Sequence, residues 1–158
     1  MNFNIKNLKN ILLVLVMSTL LSACSTAKKS GLSGDVYTGT ETVEYLANGV
    51  PDRVFFATNK SSLTTAAREI LRKQATYLRK NKKLNVTIEG HADERGTREY
   101  NLALGERRAN AAKDYLMTYG ISGKRISTIS YGKEKPVNPG SDALSWSQNR
   151  RSVTVKVN

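Results

Sequence analysis

Hydrophobic and polar positions from Arg53 onward follow first the period of a strand and then that of a helix. The run Val54–Ala57 is short and largely apolar, which is typical of a strand. After a polar turn, apolar residues at helical spacing predict a helix that is capped by Thr64 or Thr65 and runs to about Lys80. Its predicted core-facing positions are Leu63, Ala67, Ile70, Leu71 and Leu78.

The next stretch repeats this change of period. Residues 84–89 alternate apolar with polar side chains and predict a half-buried strand. A second helix is predicted to begin between Arg98 and Asn101 and to end at Gly120, because glycine is common just after a helix. The apolar stripe of this helix is Leu102, Ala109, Ala112 and Leu116.

The last part of the chain predicts two more strands and completes the fold. Residues 126–131 and 153–157 have strand patterns, and residues 132–148, which contain two prolines, are predicted to form the loop between them. The order is therefore β-α-β-α-β-β. Because each β-α-β crossover is right-handed, both helices should lie on the same face of one sheet. The predicted fold class is α/β, a two-layer sandwich with a mixed sheet and helices on one face.

A different pattern precedes the domain. Lys6 and Lys9 come before an apolar run at residues 11–21, which is too short to span a bilayer and fits a signal peptide. The run ends in Leu21–Cys24 (LSAC), which is typical of a bacterial lipobox, in which the cysteine is acylated and becomes the N-terminus. The alternative is a plain signal peptide with an incidental cysteine. Several acyl chains on Cys24 would suffice for stable membrane anchoring.

The domain organisation follows from this leader. Residues 1–23 are predicted to be a lipoprotein signal peptide, residues 24–50 a lipidated N-terminus and flexible tether, and residues 51–158 the folded domain. Ser25, rather than aspartate, favours the outer membrane over the inner membrane, with the domain facing the periplasm.

Charge and cysteine content limit which partners and which kinds of site the chain can have. The formal net charge of +12 indicates an anionic partner. Nucleic acid is excluded in practice, because a chain with this leader leaves the cytoplasm. Since Cys24 is the only cysteine, disulfides and thiolate metal sites are excluded as well.

Charged residues are densest at Gly90–Asn110, a stretch that contains the only histidine, His91. A metal site is disfavoured because there is no second histidine and no HExxH spacing. His91 is instead expected to fix the junction of strand and loop by hydrogen bonds. Asp93 and Glu94 are adjacent and would point apart, and no nucleophile or phosphate-loop motif is present. We therefore predict no enzyme activity, no metal and no cofactor.

Binding of a charged ligand remains. Asn101, Leu104 and Arg108 lie at i, i+3 and i+7 of the second helix, just after the loop that holds Asp93. An aspartate accepts hydrogen bonds from an ammonium, and an arginine fork binds a carboxylate, so the two could close on a small zwitterion. Equally, Asp93 and Arg108 could pair with each other or with neighbours. The residues alone leave both alternatives open.

Three segments carry a family resemblance: TIEGHADERGTREYNLALGERRANAAKDYL, SYGKEKP and WSQNRRSV. They resemble the OmpA-like peptidoglycan-binding domains, and the lipobox and tether are similar to those of the peptidoglycan-associated lipoproteins of the Tol–Pal system. The resemblance covers Arg53 to about Val157. It implies an OmpA C-terminal-like fold, a non-enzymatic role in envelope integrity and cell division, and non-covalent binding of meso-diaminopimelate in the peptide stem of peptidoglycan.

The resemblance also assigns roles to residues. It implies that Asp93 holds the ammonium and Arg108 the carboxylate of diaminopimelate. The further binding residues that it implies are Thr58, Asn59, Arg95, Thr97, Asn101, Leu104, Asn149 and Arg150.

The chain departs from the family pattern in one loop, and the family implies a protein partner. Members of the family often have acids in the first strand–helix loop, where this chain has Phe56–Asn59 (FATN), so contacts there must use the backbone or the Asn59 amide. The family further implies binding of TolB and other Tol proteins. The alternative function is therefore a TolB-binding interaction module in which wall binding is secondary.

Overall fold

The computed structural model describes residues 32–33, 35–40 and 44–157 of the chain. The predicted signal peptide and Cys24 lie outside the described residues. Two short hairpins come first: β1 (Leu32–Ser33) pairs with β2 (Val36–Tyr37), and β3 (Tyr45–Ala47) pairs with β4 (Val50–Pro51).

A four-stranded mixed sheet forms the centre of the domain, as the sequence predicts. Its strands are β5 (Arg53–Phe55), β6 (Asn85–His91), β7 (Ile126–Gly132) and β8 (Arg151–Val157). Their spatial order is β5-β8-β6-β7, and within this sheet only β6 and β7 run parallel. Strand β8 begins beside the point where β5 and β6 end, because it is antiparallel to both. Residues just after β5 and β6 and just before β8 therefore meet at one edge of the sheet.

Two long helices cover one face of the sheet. Helix α1 (Thr65–Lys80) begins at the cap residue Thr64, whose side chain accepts the Ala67 amide, and α2 (Arg98–Thr118) begins in the same way at Thr97. Gly120, predicted to end the second helix, has a φ of +81°. The core between helices and sheet consists of Val54, Phe56, Ala67, Leu71, Ala75, Leu78, Val86, Ile88, Ala109, Ala112, Leu116, Ile121 and Ile126. The predicted fold class is confirmed.

A third helix, α3 (Ala143–Asn149), lies where the sequence predicts only loop. That prediction is wrong for these residues. Asp142 caps the helix by accepting the Ser145 amide at 2.8 Å. Seven residues are too few to display a helical period, and the prolines just before them are typical of a loop. A single 3₁₀ turn, Gly123–Arg125, precedes β7. Within the described residues, no helix combines the length and apolarity that crossing a bilayer requires.

Part of the segment assigned to the flexible tether packs on the domain, at positions that precede the predicted domain start. Leu46 is buried, and so is Tyr37, whose ring packs edge-on against Phe55 with centroids 4.7 Å apart. Folded contacts therefore begin well before residue 51, at least as early as β2.

Helix α2 approaches the end of β6 unusually closely through two glycines. A methyl group added at Gly90 would lie 1.8 Å from the Gly105 carbonyl oxygen, so neither position has room for a side chain. This contact lets the helix backbone lie directly on the strand. It brings the following turn of α2, which carries Arg108, against the edge of the sheet where β6 ends.

We predict that Gly90→Ala destabilises the domain by more than about 3 kcal/mol, because the added methyl meets rigid backbone rather than a movable side chain. Chemical denaturation would measure the loss. Gly123→Ala is the matched control, since its methyl would meet only the flexible end of Met117 at 3.3 Å. Equal stability of the two variants would contradict the close approach of helix and strand.

Candidate functional site

Five side chains join in a charge cluster at the edge of the sheet where β5 and β6 end and β8 begins. We call Asp35, Thr58, Asp93, Arg95 and Arg150 the charge cluster. Four of them are predicted binding residues. The fifth lies in the segment assigned to the tether and was not anticipated.

Asp93 occupies the buried side of the charge cluster. Its carboxylate accepts hydrogen bonds from Arg95 Nη2 at 2.7 Å and from Arg150 Nη1 at 3.3 Å. The Arg95 backbone amide also donates to it at 3.2 Å. Burial alone would raise the pKa of Asp93, but these donors outweigh it and hold the pKa below its usual value. The carboxylate therefore carries its charge at neutral pH and is already surrounded by hydrogen-bond donors.

Asp35 occupies the exposed side. Its carboxylate accepts from the Thr58 amide at 2.6 Å, from the Thr58 hydroxyl at 2.9 Å and from Arg150 Nη2 at 3.2 Å. Arg150 also donates to the Asp35 carbonyl. The Thr58 hydroxyl in turn accepts from Arg95 Nη2 at 3.3 Å, which closes the hydrogen-bonded cycle through all five residues. Arg150 thus bridges two carboxylates, one from the sheet edge and one from the N-terminal segment.

Arg108 lies beneath this cycle rather than in it. The side chain is fully buried, and its guanidinium donates to the carbonyls of Lys60 at 2.9 Å, His91 at 2.7 Å and Ala57 at 3.1 Å. Burial and the nearby Arg150 lower its pKa to about 10, so it stays charged at neutral pH. Arg108 therefore fixes the loop that carries Thr58 to the end of β6. Direct contact with a ligand carboxylate stays a prediction; one N–H on each of Nη1 and Nη2 is left for it, but a ligand would have to reach a fully buried side chain.

The loop between β6 and α2 has its own supports. Asn101 is buried and donates Nδ2 to the Arg95 carbonyl at 2.8 Å, while Thr97 caps α2. Lys133 Nζ donates to the carbonyls of Glu94 and Gly96. Asn101 and Thr97, both predicted binding residues, therefore hold the shape of the loop that presents Asp93 and Arg95.

Trp146 of α3 forms a wall of the site that sequence reasoning missed. The Arg95 guanidinium lies 4.3 Å from the centroid of the indole ring, a cation–π contact. The indole Nε1 donates to the Glu94 carboxylate at 2.9 Å, and Ser141 donates to the same carboxylate. Two signals in the sequence pointed to this region: Trp146 opens the segment WSQNRRSV that carries the family resemblance, and Asp142 stands three residues before Ser145 as a helix cap.

The other three predicted residues do not contribute hydrogen bonds to the charge cluster in the described structure. Asn59 is exposed in a turn, with a φ of +56°. Leu104 is buried. Asn149 accepts the amides of Val137 and Asn138 with its side chain and so shapes the loop before α3.

His91 takes a different place from the one expected. Its carbonyl, not its imidazole, serves the junction by accepting from Arg108, while the buried ring is 5.6 Å from Tyr131. Neither ring nitrogen makes a hydrogen bond of good geometry within the described residues, although Nε2 lies 3.5 Å from the Glu89 carboxylate. The ring thus has only weak contacts, with the Glu89 carboxylate and the Lys135 carbonyl, and its expected bracing of the loop by hydrogen bonds stays a prediction. Within the same residues, no group of three acids or histidines could hold a metal ion.

The family model described as the OmpA family matches residues 55–150, which include all of the charge cluster except Asp35. The chain belongs to the OmpA family. It is 47% identical over 152 residues to the peptidoglycan-associated lipoprotein of Rhizobium meliloti, covering 92% of this chain and 86% of that protein.

Solved structures agree with this membership. The crystal structure of the peptidoglycan-associated lipoprotein from Burkholderia pseudomallei superposes with a TM-score of 0.66 at 40% identity, covering 67% of this chain and 90% of that one. The C-terminal domain of Helicobacter pylori MotB superposes with a TM-score of 0.63 at 19% identity, covering 68% and 84%. The second likeness concerns the fold alone.

We predict that Arg108→Lys destabilises the fold by about 2–4 kcal/mol, because one buried ammonium cannot replace a planar fork that serves three separate carbonyls. Thermal and chemical unfolding would measure this. Arg107→Lys, at the exposed neighbouring position, should change stability by less than about 0.5 kcal/mol. A loss of the same size in both variants would argue against the bracing role.

His91 should make the stability depend on pH. Burial, Arg151, Lys135 and Arg53 lower its pKa to about 3, against a weaker opposing effect of the Lys135 carbonyl. The unfolded chain therefore binds a proton at His91 near pH 6.5, whereas the folded chain binds it only near pH 3. The stability consequently falls as the pH drops from about 6.5 toward 3.

Between pH 7 and pH 5 the loss from this residue should be about 2 kcal/mol. Urea unfolding of the wild type and of His91→Gln at both pH values would isolate it, since the variant should lack this part of the pH dependence. An identical pH dependence in the two proteins would rule the effect out.

Proposed function

We propose that the chain is an outer-membrane lipoprotein that binds the diaminopimelate-containing peptide stem of peptidoglycan non-covalently. Anchored through Cys24, it would tether the outer membrane to the cell wall within the Tol–Pal system. The observation that carries the proposal is the charge cluster: one buried carboxylate, Asp93, and one bridging arginine, Arg150, beside a braced loop.

The chemistry of the cluster suits a zwitterion. The side-chain stereocentre of diaminopimelate carries an ammonium and a carboxylate. Asp93 supplies a charged acceptor for the ammonium, and the Thr58 amide with Arg150 supplies donors for the carboxylate. Arg108 and Asn101 are buried and keep these groups in place. The family resemblance adds Arg108 as a further donor to the ligand carboxylate. The affinity for the ligand then depends on how firmly these groups are held in place before binding, rather than on the area that binding buries.

The family and the leader support the cellular role. The relative from Rhizobium meliloti is named a peptidoglycan-associated lipoprotein, and it aligns with 92% of this chain. The lipobox pattern at Cys24 and the serine after it favour an anchor in the outer membrane. Binding of TolB is proposed from the family resemblance alone, with a surface that overlaps the wall-binding site. Competition between TolB and a diaminopimelate peptide would test that overlap.

Asp93→Asn should weaken co-sedimentation with purified peptidoglycan by roughly tenfold or more, since a hydrogen bond to a charged group contributes about 1.5–3 kcal/mol. Asp114→Asn is the matched control, because Asp114 is an exposed aspartate on α2 away from the charge cluster. Both variants should first be shown to unfold cooperatively.

A second comparison does not depend on any variant. The wild-type chain should bind a stem peptide that contains meso-diaminopimelate and should bind the lysine analogue, which lacks the side-chain carboxylate, at least roughly tenfold more weakly. Equal affinity for the two peptides, measured by calorimetry, would contradict recognition of a zwitterion.

A further inference from the structure

Asp35 reaches the charge cluster from outside the matched family region. It lies 23 residues before Thr58 and 115 residues before Arg150, with which its carboxylate forms hydrogen bonds. The contact is therefore made by the N-terminal segment, the part of the chain that joins the domain to the predicted lipid anchor.

The three donors around this carboxylate include the Thr58 amide and Arg150, which the proposed function assigns to the ligand carboxylate. The Thr58 amide, the Thr58 hydroxyl and Arg150 Nη2 all point at the Asp35 oxygens, at 2.6, 2.9 and 3.2 Å. Burial alone would raise the pKa of Asp35, but these donors hold it below its usual value, so the group is ionised at neutral pH. A second carboxylate cannot use the same donors while Asp35 holds them.

The N-terminal segment is attached in a way that permits release. The Asp35 side chain keeps 55% of its surface exposed, so its removal uncovers little apolar area. The apolar attachment is next to it, where Tyr37 packs on Phe55. Release of Asp35 alone, or of Asp35 with β2, would free the donors without disturbing the core between the helices and the sheet.

We propose that Asp35 occupies in cis the position of the ligand's carboxylate, so that the N-terminal segment competes with the cell-wall peptide for the charge cluster. The inference rests on the proposed function and adds a way in which the chain regulates its own binding. The fraction of molecules in which Asp35 has left the charge cluster would set how much of the protein can bind the cell-wall peptide. The apparent affinity is lowered by the fraction of molecules in which Asp35 is bound.

Asp35→Asn removes the competing charge and should tighten binding of the full chain to a diaminopimelate stem peptide roughly three- to tenfold, because the lost contact is a charge-assisted hydrogen-bond set at a half-exposed site. Glu44→Gln is the matched control. Glu44 is also an exposed carboxylate of the N-terminal segment, but it lies 3.6 Å from Arg53, outside the charge cluster. Its affinity should equal that of the wild type.

A second readout follows the segment itself. Saturating peptide should increase hydrogen exchange at Val36 and Tyr37 in the wild type, measured in the full chain in detergent. In Asp35→Asn this exchange should already be faster without peptide.

The outcomes separate the two proposals. If Asp35→Asn binds as tightly as the wild type and exchange at β2 is unchanged by peptide, competition in cis is overturned while the proposed function stands. If the wild-type chain binds neither the peptide nor peptidoglycan, the proposed function fails and the inference fails with it. Tighter binding in Asp35→Asn, with the Glu44→Gln variant unchanged, supports both.

Discussion

The buried guanidinium of Arg108 is the interaction on which the site depends. It carries a full charge at a fully buried position, and within the described residues no acid lies within ion-pair distance of it. Three backbone carbonyls, from Ala57, Lys60 and His91, accept hydrogen bonds from it instead. A charged group is costly to bury without hydrogen-bond partners, so these three bonds favour one arrangement of helix α2, the end of β6 and the first loop.

The charge cluster lies over the Arg108 side chain, and its members have more than one hydrogen-bond or stacking partner. Arg150 binds two carboxylates at once, and Arg95 both binds Asp93 and stacks on Trp146. Because Asp35 comes from a separate segment, exchanging it for another carboxylate changes the partner but keeps the number of ion pairs. The site can thus be fully satisfied without a ligand and still bind one, with an affinity set by the difference between two similar sets of contacts.

Periodicity predicted the sheet and both long helices because each spans several repeats of its pattern. Asp93 could be placed at the site because it directly follows a recognisable strand. The depth of Arg108 was not predictable, since an arginine beside a helix's core face is usually exposed. Asp35 was not predictable either, because a single polar residue in a Ser- and Gly-rich segment has no pattern that reports a contact so distant in sequence. The helix around Trp146 was too short to show a period.

The most direct test of the account is a titration of the ¹⁵N-labelled full chain with a meso-diaminopimelate stem peptide, followed by amide chemical shifts. Binding at the charge cluster predicts that the largest changes occur at Thr58, at residues 93–97 and at the segment around Asp35. Changes confined to the sheet face that carries the His91 ring, with Thr58 and Asp93 unaffected, would contradict it.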